Sequence, residues 1–294
     1  PGNVFAVEAD GPATDLQNLD RISNDTYRAL TAEAGSGTDI RWKTNPSGYF
    51  GDKINDEFTC KWEYDTATGA MVISPREGYE TTASFTGVSA LQSPVAAAGV
   101  TWRGIKSFNV SIPEGGSKIK ASGSLTHFFY GCSELTTADL HNLDTSGVNA
   151  LRGTFDTTSK LTSLNLDGWD TSNVTTMRDM FIGTALVTLD MSSFDTSSVV
   201  DCGGMFANCS SLKTIFAAPD VSFANATGYI SYMFQNCKSL VGGAGTTFSS
   251  QEYTNACIDR VKGGTLGIDS GYFTVKGTVC RNTTTSKEYS FIDE

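Results

Sequence analysis

The sequence predicts an α/β solenoid, a stack of about five repeats that each contribute one strand and one short helix. Two columns of residues support this fold class. The first is a Phe that recurs at intervals of 25 to 28 residues, at Phe129, Phe155, Phe181, Phe206 and Phe234. The second is a Leu with nearly the same interval, at Leu135, Leu161, Leu186, Leu212 and Leu240. Because two independent columns share one period, chance explains neither of them well.

The clearest unit is LTSLNLDGWDTSNVTTMRDMF, residues 161–181. Leu164 and Leu166 alternate with polar residues, as in a strand with one buried face. The period then changes, and apolar residues follow at spacings of three, three and one, at Val174, Met177, Met180 and Phe181. These spacings place them on one face of a short helix. Each repeat is therefore predicted to be a strand, a polar turn and a helix.

The polar turn also recurs, as Asp144-Thr145-Ser146, Asp170-Thr171-Ser172 and Asp195-Thr196-Ser197. Short polar side chains of this kind accept hydrogen bonds from nearby free backbone amides. Together with the pattern L-x-x-L-x-L and a period of roughly 20 to 29 residues, the repeat is typical of leucine-rich repeats. Each such unit is half a core that stacking must complete.

Three segments strongly resemble the BspA-like leucine-rich surface proteins of bacteria: LTSLNLDGWDTSNVTTMRDMF, LVTLDMSSFDTSSVVDCGGMF and FFYGCSELTTADLHNLDTSGV. Residues 102–112 look like the first segment of that family, and residues 240–275 look like its closing cap. The resemblance covers roughly residues 57 to 275. It implies an extracellular recognition module, often adhesive, with no known chemistry of its own. It implies no fixed set of functional residues.

Four regions are predicted along the chain: an N-terminal arm or anchoring region at residues 1–55, a β-rich cap at 56–115, the repeats at 116–240, and a C-terminal cap with a tail at 241–294. In the first cap, residues 58–64 alternate, residues 65–69 form a turn and residues 70–73 return, which predicts a hairpin. Short helices are predicted within residues 16–30 and 251–260, and a strand without a visible partner is predicted in the tail, residues 276–294.

Composition argues against several classes of partner. The net charge is −11 and the pI is about 4.6, so nucleic acid and anionic membrane surfaces would be repelled. No apolar run reaches the ~18 residues of a membrane span, so membrane insertion is not expected. The first residues contain no signal peptide. Two origins stay open: a signal removed before Pro1, as in an extracellular protein, or an initiator Met removed there, as in a virion protein.

No motif indicates an enzyme, a cofactor or a metal site, so we expect none of the three. The two histidines belong to no metal motif: His127 is expected to pack in the cap, and His141 to be solvated. The seven cysteines are too few for a disulfide scaffold. Cys132, Cys209 and Cys237 each follow a repeat Phe by three residues and share one column with Thr158 and Thr184. Cys209 and Cys237 could form a disulfide, but we expect both to be free thiols. Cys257 and Cys280 are a second and weaker candidate pair for a disulfide.

Polar residues between the inward positions of the strands should line up on an exposed, concave sheet. Asp139, Asn165 and Asp190 share one such column. This ladder could hold Ca²⁺ or sugar hydroxyls, but a solvated face is the better interpretation because oxygens on separate repeats rarely converge on one ion. The predicted binding residues are Thr137, Asp139, Ser163, Asn165, Asp167, Thr188, Asp190 and Phe216. A bulky column at Leu143, Trp169 and Phe194 is predicted to be buried.

The sequence thus favours a non-catalytic surface recognition or adhesion protein that binds a protein or glycan through the concave face of a leucine-rich solenoid. It would work outside the cell or at its surface. The alternative is a structural or decoration protein of a phage virion or extracellular filament. In that case residues 1–55 would dock the chain onto a lattice or form a homo-oligomer.

Overall fold

The computed structural model describes residues 45–218, 221–226, 232–242, 247 and 272–274, and the backbone of residues 30–34, 40–44, 275, 280–281 and 288–289. The chain divides into two compact units, Pro1–Asn45 and Pro46–Glu294. In the first unit, strands β1 (Leu30–Ala34) and β2 (Ile40–Thr44) form an antiparallel pair. The helices predicted within residues 16–30 and 251–260 lie outside the described residues, except that Leu30 begins β1.

The second unit opens with three antiparallel strands, β3 (Ser47–Ile54), β4 (Glu57–Asp65) and β5 (Ala70–Pro75). The predicted hairpin is confirmed as β4 and β5, with Trp62 opposite Ile73. Strand β3 was not predicted, and it moves the start of the sheet from residue 56 to Ser47. A register shift after Phe50 and a positive φ of 94° at Gly51 break the alternation of β3, which conceals it in the sequence.

Between residues 84 and 275, the described strands pair in parallel and belong to three sheets. The six-stranded sheet has the order β11-β9-β7-β5-β4-β3, with β7 at Ser107–Val110, β9 at Thr137–Asp139 and β11 at Ser163–Asn165. A second sheet has the order β12-β13-β14, at Thr188–Met191, Thr214–Ala217 and Phe273–Val275. A third has the order β10-β8-β6, at Leu143–Ala150, Ile119–Ser124 and Ser84–Thr86.

A helix, a 3-10 turn and a short strand pair are the remaining described elements. Helix α1 (Ser89–Ala97) buries Leu91 and Val95, and a 3-10 turn follows at Trp102–Gly104. Near the C-terminus, β15 (Cys280–Arg281) and β16 (Glu288–Tyr289) form a short antiparallel pair. The tail was predicted to contain a strand without a visible partner, and the two strands pair within the tail itself.

The short helix predicted for each repeat is wrong. Residues 174–181 form turns and one isolated bridge, and α1 is the only α-helix in the part of the chain that the structure describes. The N–H of Phe181 donates to Met205 of the next repeat at 2.9 Å, and that of Asp179 donates to Gly203. Between them, the N–H of Met180 closes a turn onto Met177. Alternate amides thus bond between repeats, which excludes the i to i−4 pattern of an α-helix.

Backbone torsion also explains why no helix forms there. Each repeat contains two residues with positive φ, four positions apart, whereas an α-helix needs negative φ throughout. The first such column consists of His127, Gly153, Asp179, Gly204 and Tyr232. The second consists of Gly131, Thr157, Gly183, Asn208 and Asn236. The apolar spacing fits these turns because it still directs Met177, Met180 and Phe181 into the core.

The repeat Phe residues form a continuous stack through the core. The rings of Phe155 and Phe181 lie 5.6 Å apart and are inclined by only 2°, and those of Phe181 and Phe206 lie 5.7 Å apart. The stack extends to Phe129 at one end and Phe234 at the other. All five side chains are buried. The column found by its period in the sequence is therefore one packed row in space.

A second bulky column is buried beside the strands, as predicted. Leu143, Trp169 and Phe194 are each at most 2 % exposed. The rings of Trp169 and Phe194 stack 6.3 Å apart, and Trp169 Nε1 donates to the Leu140 carbonyl at 3.1 Å. This column is part of the core, so it offers no surface to a ligand.

Replacing Trp169 with Ala should lower the free energy of unfolding by about 3–5 kcal/mol, because the substitution leaves a cavity and removes the ring from its stack. Urea unfolding followed by circular dichroism measures this loss. Val187→Ala is the matched control, since Val187 is 44 % exposed and its truncation should change stability by less than about 0.5 kcal/mol. Equal losses for the two variants would contradict the packing described here.

Substitutions of Gly183 test whether the second column of residues requires a positive φ. Gly183→Asn should be nearly neutral, because Asn208 and Asn236 already hold this conformation in the next two repeats. Gly183→Val should cost about 1–2 kcal/mol, since a β-branched side chain is strained at positive φ. Thermal unfolding of the two variants compares the same site with the same neighbours. Equal stability of the Val and Asn variants would show that φ is not constrained there.

Candidate binding surface

The exposed face of strands β7, β9 and β11 presents two rows of polar side chains. The strands are parallel and in register, so Ser107, Thr137 and Ser163 are adjacent in one row, and Asn109, Asp139 and Asn165 are adjacent in the other. Between the rows, Phe108 and Ala138 point into the core and are buried. The two rows line a shallow open depression of about 490 Å³.

The predicted binding residues separate into two groups. Thr137, Asp139, Ser163 and Asn165 meet in the depression, and Asp167 is exposed just beyond the end of β11. The other three do not join them. Thr188, Asp190 and Phe216 lie on β12 and β13, which belong to a separate sheet. The expected single surface over all repeats is therefore interrupted between β11 and β12.

Two residues of the depression were missed from sequence, Ser107 and Asn109. Ser107 pairs with Thr137, so equivalent positions of β7 and β9 are 30 residues apart in sequence, whereas those of β9 and β11 are 26 apart. The extra residues hide the phase of the repeat. A usable signal was present, since Phe108 and Val110 alternate with Ser107 and Asn109 as in the later strands.

The acidic column has a structural role at the ends of the strands. Asn165 Oδ1 accepts the N–H of Asp167 at 3.1 Å, and Asp190 Oδ1 accepts that of Ser192 at 2.9 Å. Asp139 makes a longer contact of the same kind, 3.4 Å to the N–H of His141. Each side chain thus closes a local turn, which explains the repeated Asp or Asn without calcium. Among the residues that the structure describes, no group of three acidic, His or Cys side chains could hold a metal ion.

Asp139 is also paired with His141, which the sequence predicted to be merely solvated. The Asp139 Oδ1 to His141 Nδ1 distance is 2.6 Å, and both side chains are more than 40 % exposed. A dyad of this kind serves catalysis when the other ring nitrogen bonds a nucleophile. No hydroxyl among the described residues is hydrogen-bonded to His141 Nε2. His127, expected to pack in the cap, is instead exposed beside Tyr130, with ring centroids 5.1 Å apart.

The polar residues of the turns bond within the chain. Thr171 is buried, and its Oγ1 donates to the Asp195 carbonyl of the next repeat at 2.7 Å; Thr145 and Thr196 make equivalent bonds. The Ser172 hydroxyl and its N–H both donate to Asp170 Oδ1, which lowers the pKa of that carboxyl. The recurring Asp-Thr-Ser turn therefore connects repeats rather than recognising a ligand.

The cysteine column consists of free, buried thiols, as expected for Cys209 and Cys237. Cys209 Sγ donates to the Phe181 carbonyl at 3.0 Å, and Cys237 Sγ to the Phe206 carbonyl at 2.9 Å. Burial raises the pKa of Cys60, Cys132 and Cys202 to about 12. Thiols in this state are poor nucleophiles. The weaker candidate pair, Cys257 and Cys280, lies outside the described side chains.

Comparison with known proteins matches one family, described as a Mycoplasma protein of unknown function, DUF285, to residues 123–246. The match covers most of the region predicted to contain the repeats, residues 116–240. No curated protein and no solved structure matches the chain. In the described residues, no helix combines the length and the apolar character needed to cross a membrane.

The thiols provide a test of burial. In a Cys257→Ser/Cys280→Ser variant, an aromatic disulfide reagent at pH 8 should label none of the five remaining cysteines in the folded protein and all five in denaturant. The raised pKa and the burial of the thiols both slow the folded reaction. The absorbance of the released reagent counts the thiols. Rapid labelling of the folded variant, or fewer than five thiols after unfolding without reductant, would contradict this arrangement.

Proposed function

We propose that this chain is a non-catalytic surface recognition protein whose repeats stack as a leucine-rich-repeat-like solenoid between two caps. The exposed face of β7, β9 and β11 binds its partner, a protein or glycan outside the cell or at the cell surface. The resemblance to BspA-like surface proteins supports this function. The match to a family of unknown function neither adds to it nor opposes it.

One observation supports the choice of this face. Ser107, Asn109, Thr137 and Ser163 make no side-chain hydrogen bond to any described residue, although they stand in register on paired strands. The Asp-Thr-Ser turns, by contrast, use their side chains to bond to the chain itself. Uncommitted polar groups on a rigid scaffold can bond a ligand without first breaking an internal bond.

The backbone under these residues is already ordered. Strand β9 is bonded to β7 on one side and to β11 on the other, so the two rows keep their spacing without a ligand. Binding to a preformed face has a small ordering cost, which suits recognition through many weak contacts. The acidic charge of the chain disfavours nucleic acid and anionic lipid as partners.

A second candidate is the structural or decoration protein of a phage virion or extracellular filament. The division of the chain into two compact units, of which Pro1–Asn45 is one, favours it because a unit of this kind suits an anchoring role. Deleting residues 1–45 distinguishes the two functions. A recognition protein would keep its surface binding after the deletion, whereas a decoration protein would lose its incorporation into particles or filaments.

Thr137→Arg tests the proposed face. The bulky cation should fill the depression and weaken binding to cells, matrix proteins or immobilised glycans at least tenfold, which corresponds to about 1.4 kcal/mol. Binding of the labelled full chain to this panel of surfaces is the measurement. Asn149→Arg adds the same charge at an exposed position of β10 and should leave binding unchanged. Unaltered binding of a folded Thr137→Arg variant to every surface would refute the proposal.

A further inference from the structure

The two polar rows, Ser107-Thr137-Ser163 and Asn109-Asp139-Asn165, indicate the chemistry of the ligand. Hydroxyl and amide groups both donate and accept hydrogen bonds, as the hydroxyls of a sugar require. Neither Lys nor Arg lines the depression, and the one carboxylate, Asp139, is held by His141. An anionic ligand would find no cation there. The surface suits an uncharged ligand rich in hydroxyl groups.

A protein partner fits this face less well. Protein interfaces depend on a few aromatic or Arg anchors that fill pockets in the partner. The one aromatic residue that lines the depression, Phe108, is 1 % exposed, and Ala138 beside it is 3 % exposed. No apolar anchor therefore projects from the lining, and no apolar pocket receives one.

The spacing of the rows indicates how the ligand lies. Parallel strands in register repeat about every 4.8 Å across a sheet. An extended β-1,4-linked hexose chain advances by a similar distance per sugar. Successive sugars are turned by roughly half a turn, but both of their edges present hydroxyl groups, so each sugar can bond one hydroxyl of the Ser107-Thr137-Ser163 row. An extended peptide repeats its side chains on one face about every 6.6 Å and does not keep this register. An α-1,4-linked chain coils away from a flat surface.

We propose that this face binds an extended, uncharged β-1,4-linked polysaccharide that runs across the strands, one sugar to each of β7, β9 and β11. This inference rests on the proposed recognition function and names its ligand class. The depression is shallow and open, which suits a chain that runs across the surface rather than a ligand that is enclosed. No exposed aromatic ring lines the depression, so we expect a single segment of the polysaccharide to bind weakly.

Calorimetric titration of the full chain with cello-oligosaccharides and fully N-acetylated chito-oligosaccharides of one to six sugars tests the inference, because both series are uncharged. Affinity should rise up to the trimer and then level off, because three strands form the site. Asn109→Ala should weaken binding about 3- to 10-fold, the effect of one lost hydrogen bond. Asn109 is exposed and its side chain bonds no described residue, so the variant should fold. Asn149→Ala, on β10, is the control and should bind as before.

Three results would overturn the inference: no heat with any β-1,4-linked oligosaccharide, binding of maltohexaose as tight as that of cellohexaose, or binding unchanged by Asn109→Ala. Binding of the Thr137→Arg variant then tests the proposed function separately. If Thr137→Arg still abolishes binding to a cell or protein surface, the face recognises another ligand class and the proposed function holds. If Thr137→Arg also has no effect, both proposals fail.

Discussion

Hydrogen bonding between equivalent backbone positions of successive repeats is the constraint on which the other features of this chain depend. Alternate amides from Leu125 to Asn208 donate to carbonyls of the following repeat, while the amides between them close local turns. This register brings residues one period apart in sequence into contact in space. The Phe stack, the buried Thr column and the buried thiols are consequences of it, since each column is one position repeated along the chain.

The same register divides the polar residues between structure and function. In the turns, buried threonines and recurring aspartates bond the chain to itself, and the low pKa of Asp170 reflects that use. On β7, β9 and β11, by contrast, the side chains of Ser107, Asn109, Thr137 and Ser163 project from the face without such bonds. A regular repeat in polar residues is therefore no evidence of a binding site by itself. Whether each side chain already bonds to the chain itself distinguishes a structural column from a candidate binding site.

Sequence reasoning failed where local geometry differed from its usual form. The spacing of Val174, Met177 and Met180 matched a helix, yet positive φ at Asp179 and the bonding to the next repeat produced turns with the same buried residues. Strand β3 was missed because a bulge at Gly51 disrupts its alternation. In the first case the apolar residues were correctly expected inside the core, but the backbone conformation between them was not. In the second case Phe50 is buried in the core, although residues 1–55 were predicted to form an arm.

The sequence by itself determined the period, the two apolar columns, the β4–β5 hairpin and the burial of Trp169, because each depends on spacing along one chain. It also located four residues of the depression, Thr137, Asp139, Ser163 and Asn165, through their alternation with inward residues. Only the tertiary structure decided that Ser107 and Asn109 join them while Thr188, Asp190 and Phe216 lie on another sheet. Strand pairing is a contact between distant segments, and a register offset by an insertion, or a break between sheets, leaves no local pattern.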